Sequence, residues 1–513
     1  MTGGNFYHLF EHCVAEDPDA ALIELENGAS ISRRELDTLA GRYATALRSA
    51  DCQAGEVVAA QLGKSLHAFA LYLGCLRAGL CYLPLNTAYQ SAELAYLLGD
   101  ARPKLFFRDL EASDLADGTV PASAALHTLG NDGEGTFAKL LRSADEALPV
   151  VIVQEEDAAA LLYTSGTTGR PKGAVLSHRA LRYSASTLAN LWGITSSDAL
   201  LHVLPIFHSH GLFISLNTAI SVGARIILRT KFDAAQVAVD LGRATLFMGV
   251  PTFYHRLLAL TTLTREACAN MRLFVCGSAP LSPDAHRQFE ARTGHRILER
   301  YGSTEAMIIC SNPLEGDRRP GSVGHPLPGL DVRIADKEDA PLPDGEIGMI
   351  QVRGPGLFTA YLNKVEQTAL EFTTDGYFRS GDLGKKDAAD YYYITGREKD
   401  LIISGGYNIY PAEVEAVIDE LPAVQEAAVV AGPHPDFGEC VVAFVVPQDP
   451  SWPPRADDVI QAVKSTLANY KVPKQVHIIG ELPRNTMGKV MKNELRALLI
   501  ASGQTVPKNR EVS

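Results

Sequence analysis

The chain has 513 residues, more than one hydrophobic core usually spans, so two or more domains are expected. Hydrophobic residues make up 46% and charged residues 21%, the balance of an ordinary soluble globular protein. A net charge of −13 argues against nucleic acid as the main partner, because phosphate-backbone binding needs a basic face, and an acidic protein that handles anions must gather its cations locally.

The opening stretch, MTGGNFYHLFEHCVAEDPDA, has neither a basic nor an apolar signal region, and no window approaches the ~18 uninterrupted apolar residues of a membrane span. Eight cysteines (Cys13, Cys52, Cys75, Cys81, Cys268, Cys276, Cys310, Cys440) are scattered without CxxC spacing, against both a disulfide framework and a zinc knuckle. The expectation is a cytoplasmic protein with no membrane partner. Residues 31–50 place Leu36, Leu39, Ala40, Tyr43 and Leu47 at helical spacing behind a serine cap. A strand is predicted at 57–62, an amphipathic helix at 67–77 and a buried parallel strand at 79–86, the alternation of an α/β layered sheet. Residues 109–150, rich in Ala, Asp and Gly, are expected to be surface loops.

Residues 163–173 read YTSGTTGRPKG after an apolar run at 158–162. Thr164, Ser165, Thr167 and Thr168 supply hydroxyls, Gly166, Gly169 and Gly173 let backbone N–H groups approach an anion, and Lys172 adds a compact cation, which together suit a phosphate-holding loop. The common nucleotide loop requires Ser or Thr straight after the lysine, whereas Gly173 stands here.

Ser177 is placed to cap a helix over 177–193, and a strand at 200–204 leads to PIFHSHGLF at 205–213. His208 and His210 lack a third ligand nearby, so this loop reads as a substrate-pocket wall rather than a zinc site. A strand at 224–229 follows, and 244–258 runs from strand through Pro251 into a helix carrying Arg256, by default a solvated charge. The strand at 271–276 ends in GSAPLSP, small residues where open α/β sheets bind ligands. In ILERYGSTEAM, 297–307, Tyr301 offers a flat face for a purine, Thr304 a hydroxyl for phosphate and Glu305 a hard oxygen for Mg²⁺. Asp382, expected in a tight SGD turn, can accept from both ribose hydroxyls, and Arg397 lies downstream in TGREKD. Beyond Asp400 the pattern changes to a compact α+β unit, with a strand, a double-glycine turn, a helix starting at Pro411, and Lys489 on a glycine-containing loop.

In this order these segments resemble the signature segments of the adenylate-forming superfamily (acyl-CoA synthetases, carrier-loading adenylation domains and luciferases), over residues 5–496. The resemblance implies a large N-terminal α/β domain of layered sheets and helices, 1–398, and a mobile α+β C-terminal domain, 399–513, hinged at Lys399. It implies ATP and CoA as co-substrates and Mg²⁺ held at Glu305. ATP or AMP would meet Thr164, Ser165, Gly166, Thr167, Thr168, Gly169 and Lys172, then Gly277, Ser278, Ala279 and Pro280 along the adenine. Glu299, Tyr301, Gly302, Ser303, Thr304, Asp382, Arg397 and Lys489 complete that set. Ser303 departs from the family's usual Met or Leu without altering the adjacent hydroxyl and carboxylate. Lys172, Thr304, Glu305, His208 and Lys489 take catalytic roles, and the Gly405, Gly406, Tyr407, Asn408 turn meets CoA.

The acid is read from Arg300, costly to desolvate unless it meets an anion, which favours a second carboxylate on the substrate. LPIFHSHGLF, MGVPTFYHRL, GSAPL and LERYG together resemble malonyl-CoA synthetases, which take malonate and often methylmalonate. That resemblance assigns the acid to His208, Ser209, Arg256, Ser278, Arg300 and Met307. Three alternatives stay open: Arg300 turned away and paired with Glu299 or another acid; a ligase for short or medium fatty acids or aryl acids; and a free-standing carrier-loading enzyme. The expected partners are small molecules, with the chain a monomer or homodimer.

Overall fold

The computed structural model describes residues 3–144, 147–164, 171–404, 407–434, 437–485 and 488–501. Among them the strands form sheets of nine, seven, five and four strands. The helix Arg33–Ser49 begins with a capping box, Ser32 Oγ accepting from Glu35 N at 3.2 Å while the Glu35 carboxylate accepts from Ser32 N at 2.7 Å. Its Leu36, Ala40, Tyr43 and Leu47 are fully buried against the helix Leu66–Arg77. Between and beside these helices, Val57–Gln61, Cys81–Pro84, Leu105–Asp109, Ala125–Leu129 and Ala158–Thr164 make the parallel part of the seven-stranded sheet. Lys172–Ser177 returns antiparallel to Ala158–Thr164, setting Lys172 opposite Thr164, and Ser177 Oγ caps the helix His178–Leu191.

Two stretches differ from expectation. Within 109–150 the chain forms a strand, Ala125–Leu129, and a helix, Ala138–Arg142. The anchor is Phe137, fully buried, with its ring 4.8 Å from that of Phe107 and stacked on Tyr43; one aromatic ties down a segment whose composition alone reads as loop. The second lies in 205–213, where His210–Leu216 is a π-helix rather than a loop. Such turns are rare and concentrate at functional sites.

The nine-stranded sheet positions the site. Leu246–Gly249, Leu273–Cys276 and Leu298–Ser303 lie side by side in parallel. Their carboxyl ends deliver the helix Pro251–Leu258, the 277–280 segment and the turn 304–306 that leads into Met307–Ser311. In the four-stranded sheet, Phe378–Lys386 pairs with Tyr392–Arg397 and sets Asp382 opposite Arg397. Asp382 therefore sits within a strand, not in a tight turn; the irregularity suggested by SGD is confined to Gly381 at φ +72°.

Residues 402–478 make the five-stranded sheet, in which the long strand Gly438–Pro447 is central and pairs along its length with Val424–His434 at the edge. Alternate residues of these strands pack two apolar layers, Val429, Val441 and Val445 on one face and Val430, Val442 and Phe444 on the other. All eight cysteines are buried and free, and no helix among the described residues is long and apolar enough to cross a membrane.

Candidate active site

Three carboxylates organise the first group of side chains. Glu305 Oε1 accepts from Thr164 Oγ1 at 3.2 Å and from Tyr361 OH at 3.0 Å, so two separate strands converge on one oxygen. Lys172, only 3% exposed, places Nζ 2.8 Å from Glu371 Oε1 and 4.6 Å from the Tyr361 ring centroid. Asp382, also buried, accepts from Tyr301 OH at 2.6 Å through Oδ2 and pairs with Arg397 Nε at 3.0 Å through Oδ1. Burial and then the Asp382 carboxylate raise the Tyr301 phenol well above its ordinary value, so it stays a donor. Lys489, half-buried, stands among these groups: burial first, then Arg397, pushes its ammonium down to about 8, opposed by Asp382.

Thr304 and Glu305 owe their place to a tight turn. Gly302 sits at a register shift between the paired strands, and a Cβ there would lie 1.8 Å from the Met307 carbonyl oxygen. Ser303 Oγ accepts from Ala306 N at 3.2 Å, and the Glu305 carbonyl accepts from Phe358 N at 2.6 Å. Gly302→Ala is accordingly expected to destabilise the protein by about 1–3 kcal/mol, in the manner of overpacking, and to weaken nucleotide binding. Paired measurements of the melting midpoint and of KM for ATP would check this; a variant with both unchanged contradicts the close approach.

A second group gathers around Arg300. It is 8% exposed, and among the described residues it has no ion-pair or hydrogen-bond partner, with buried Nε and Nη2 both unpartnered. These two nitrogens share one edge of the guanidinium, the edge that grips a carboxylate with two parallel hydrogen bonds. The plane rests on Gly277, where a Cβ would come within 2.3 Å of Arg300 Cζ. Burial lowers Arg300 to about 10, which leaves it charged at neutral pH. Burial and the nearby Arg300 also hold His208 near 4 and His210 well below the usual histidine range, so both imidazoles are neutral.

Glu299 does not pair with Arg300. Successive residues of a strand face opposite sides, and Glu299 Oε1 accepts instead from Gly321 N at 3.2 Å, its carboxyl pushed up to about 8 by burial. Ser278, at φ +72°, bonds His210 Nδ1 through Oγ at 3.2 Å, while Ala279 and Pro280 edge the cleft with increasing exposure.

Other expectations fare differently. Arg256, expected as a second cation for the acid, is exposed on Pro251–Leu258, whose buried face carries Tyr254 and Leu257. Met307 is buried in the main core, and Ser209 is half-buried at the start of the π-helix. Tyr407, Asn408 and Lys399 are exposed. Ser165, Gly166, Thr167, Thr168 and Gly169, like Gly405 and Gly406, lie outside the described residues. Two participants escaped the sequence reading, Tyr361 and Glu371, whereas His210 was read only as part of the pocket-wall loop and is found bonded to Ser278.

The AMP-binding enzyme family matches residues 10–362 and the AMP-binding enzyme C-terminal domain matches residues 413–489. ATP-bound MatB from Rhodopseudomonas palustris is 46% identical with a TM-score of 0.94, over 97% of this chain and 99% of that one. A malonate–CoA ligase of Arabidopsis thaliana is 34% identical over 83% of this chain and 75% of its own length. A feruloyl-CoA synthase of Streptomyces sp is 35% identical over 91% and 94%. The last two names differ in the acid and share CoA. Taken with a cleft that gathers Thr164, Lys172, Glu305, Asp382 and Arg397, the matches establish that the chain belongs to the AMP-binding enzyme family.

Proposed function

We propose that this protein is an ATP-dependent malonyl-CoA synthetase, joining malonate, and methylmalonate as a close relative, to CoA through an acyl-adenylate. One observation carries the choice of acid: the buried Arg300 guanidinium presents an unpartnered two-nitrogen edge. A fatty or aryl tail would leave that cation buried without a counter-ion, whereas the distal carboxylate of a three-carbon diacid neutralises it.

In the first half-reaction a malonate oxygen attacks the α-phosphorus of ATP, the bond to the bridging oxygen breaks, and pyrophosphate leaves with its electron pair. Lys172 and Lys489 neutralise phosphate charge as it shifts, and Thr304 donates to the α-phosphate. Asp382 holds the ribose hydroxyls, and Arg397 fixes the Asp382 carboxylate. Glu305 suits Mg²⁺: among the described residues its partners are hydroxyls rather than cations, and a single carboxylate completed by substrate phosphates is a usual magnesium arrangement. When bound, the ion would supply charge neutralisation to the phosphates.

In the second half-reaction the CoA thiolate attacks the acyl carbonyl and AMP departs. Neutral His208 flanks the acyl group. We assign residues 1–398 and 399–513 to two domains that rotate about Lys399, withdrawing Lys489 and presenting the turn at Tyr407 and Asn408 to the pantetheine.

The test is AMP formation with malonate, methylmalonate, butyrate, benzoate and ferulate in the presence of ATP and CoA. Malonate is expected to have the highest kcat/KM; butyrate or ferulate ahead by a wide margin overturns the choice of acid.

A further inference from the structure

The loop that brings Lys489 into the cleft is braced from the small domain's own sheet. Arg484 reaches in two directions: one guanidinium nitrogen pairs with Glu426 on Val424–His434, and the other donates to the carbonyl oxygen of Gly488, the residue before Lys489. Asn485 closes the same loop, its Oδ1 accepting from Lys489 N at 2.9 Å and its backbone N donating to the Lys489 carbonyl at 3.0 Å. A second ion pair fastens the far side, Lys492 Nζ on Glu415 Oε1 at 2.6 Å, with the same Glu415 oxygen accepting from Val429 N at 2.7 Å. Both acids thus meet one sheet strand, Glu426 as a member of it and Glu415 through Val429. Gly488 lies close to Thr252 on Pro251–Leu258, where an added Cβ would stand 2.9 Å from Thr252 Oγ1, so the braced loop meets that helix.

We infer that Glu426 and Arg484 are positioning residues for Lys489, a relay that runs from the sheet carboxylate through the guanidinium to the Gly488 carbonyl and fixes where the ammonium enters the cleft. A four-carbon side chain directs charge only as well as its backbone is held, and Arg484 holds that backbone one residue away. Glu426 in turn fixes the guanidinium. This inference rests on the reading that Lys489 serves acyl-adenylate formation and is withdrawn for thioester formation, and it adds that the relay matters for the first half-reaction alone.

The experiment separates the halves in Glu426→Ala and Arg484→Met, using malonate-dependent exchange of labelled pyrophosphate into ATP for the first and thioester formation from supplied malonyl-adenylate and CoA for the second. Exchange is expected to fall up to about 100-fold in kcat, the scale of a misplaced catalytic group, with KM for ATP little changed and thioester formation retained. Glu426→Gln, which keeps shape and fold but surrenders charge, should lose a smaller part of the exchange rate. Equal losses in both halves, or unchanged exchange in Glu426→Gln and Arg484→Met, overturn the relay. Wild-type enzyme that exchanges pyrophosphate only with another acid would instead defeat the malonate reading, and the same variants would then be assayed with that acid.

Discussion

Arg300→Met is expected to raise KM for malonate by about 150-fold or more while leaving butyrate turnover as poor as before, or improving it. The magnitude follows from the pair being broken: removing one partner of a buried ion pair costs ~3 kcal/mol at the low end, and each 1.36 kcal/mol is a factor of ten. A stability measurement supplies an independent sign. Arg300 is a buried cation with two nitrogens unpartnered among the described residues, so an apolar side chain of similar length should raise the melting midpoint, measured without substrate, even as malonate binding collapses. Loss of activity with gain of stability is the signature of a group kept for its ligand. A malonate KM equal to the wild type's would remove Arg300 from the pocket.

Lys489→Ala should reduce malonyl-adenylate formation by about 100- to 1,000-fold, the range for deleting one preorganised electrostatic contact, and spare thioester formation from supplied adenylate. The pH dependence sharpens this. With the ammonium held down to about 8 by burial and by Arg397, kcat/KM for ATP should fall as pH rises through about 8, because the free enzyme then loses the cation that meets the triphosphate. Lys489→Arg, which keeps its proton, should abolish that fall. Stability moves the other way: between about 8 and the free-lysine value near 10.4 the unfolded chain binds more protons, so this group's contribution to stability rises with pH while activity declines. A profile flat from pH 7 to 9.5 in the wild type would contradict the placement of Lys489 beside Arg397.

Much of the nucleotide side was legible because its chemistry is local. Thr164, Lys172, Glu305 and Asp382 announce themselves by residue type beside glycines or strand ends, and capping serines at 32 and 177 marked two helix starts. What stayed hidden depends on distant chain segments meeting. Glu371 is 199 positions from Lys172, and Tyr361 is 56 from Glu305; nothing in either neighbourhood signals the contact. Arg256 was less legible for a related reason: residue type suggested a cation for the acid, while the structure places it on Pro251–Leu258 off the face that buries Tyr254 and Leu257. Arg300 could be read because strand alternation forces it and Glu299 apart, a constraint written in two adjacent letters.

Lys172 pairs with Glu371 and lies over the ring of Tyr361, so under the proposed function a phosphate would meet a lysine already matched with a carboxylate. An arriving ligand has to outcompete that carboxylate, which sets a threshold of charge. A triphosphate clears it with several oxygens at once; inorganic phosphate or the spent monophosphate offers far less. Under the proposed function, that ion pair would favour entry of the triphosphate over the monophosphate.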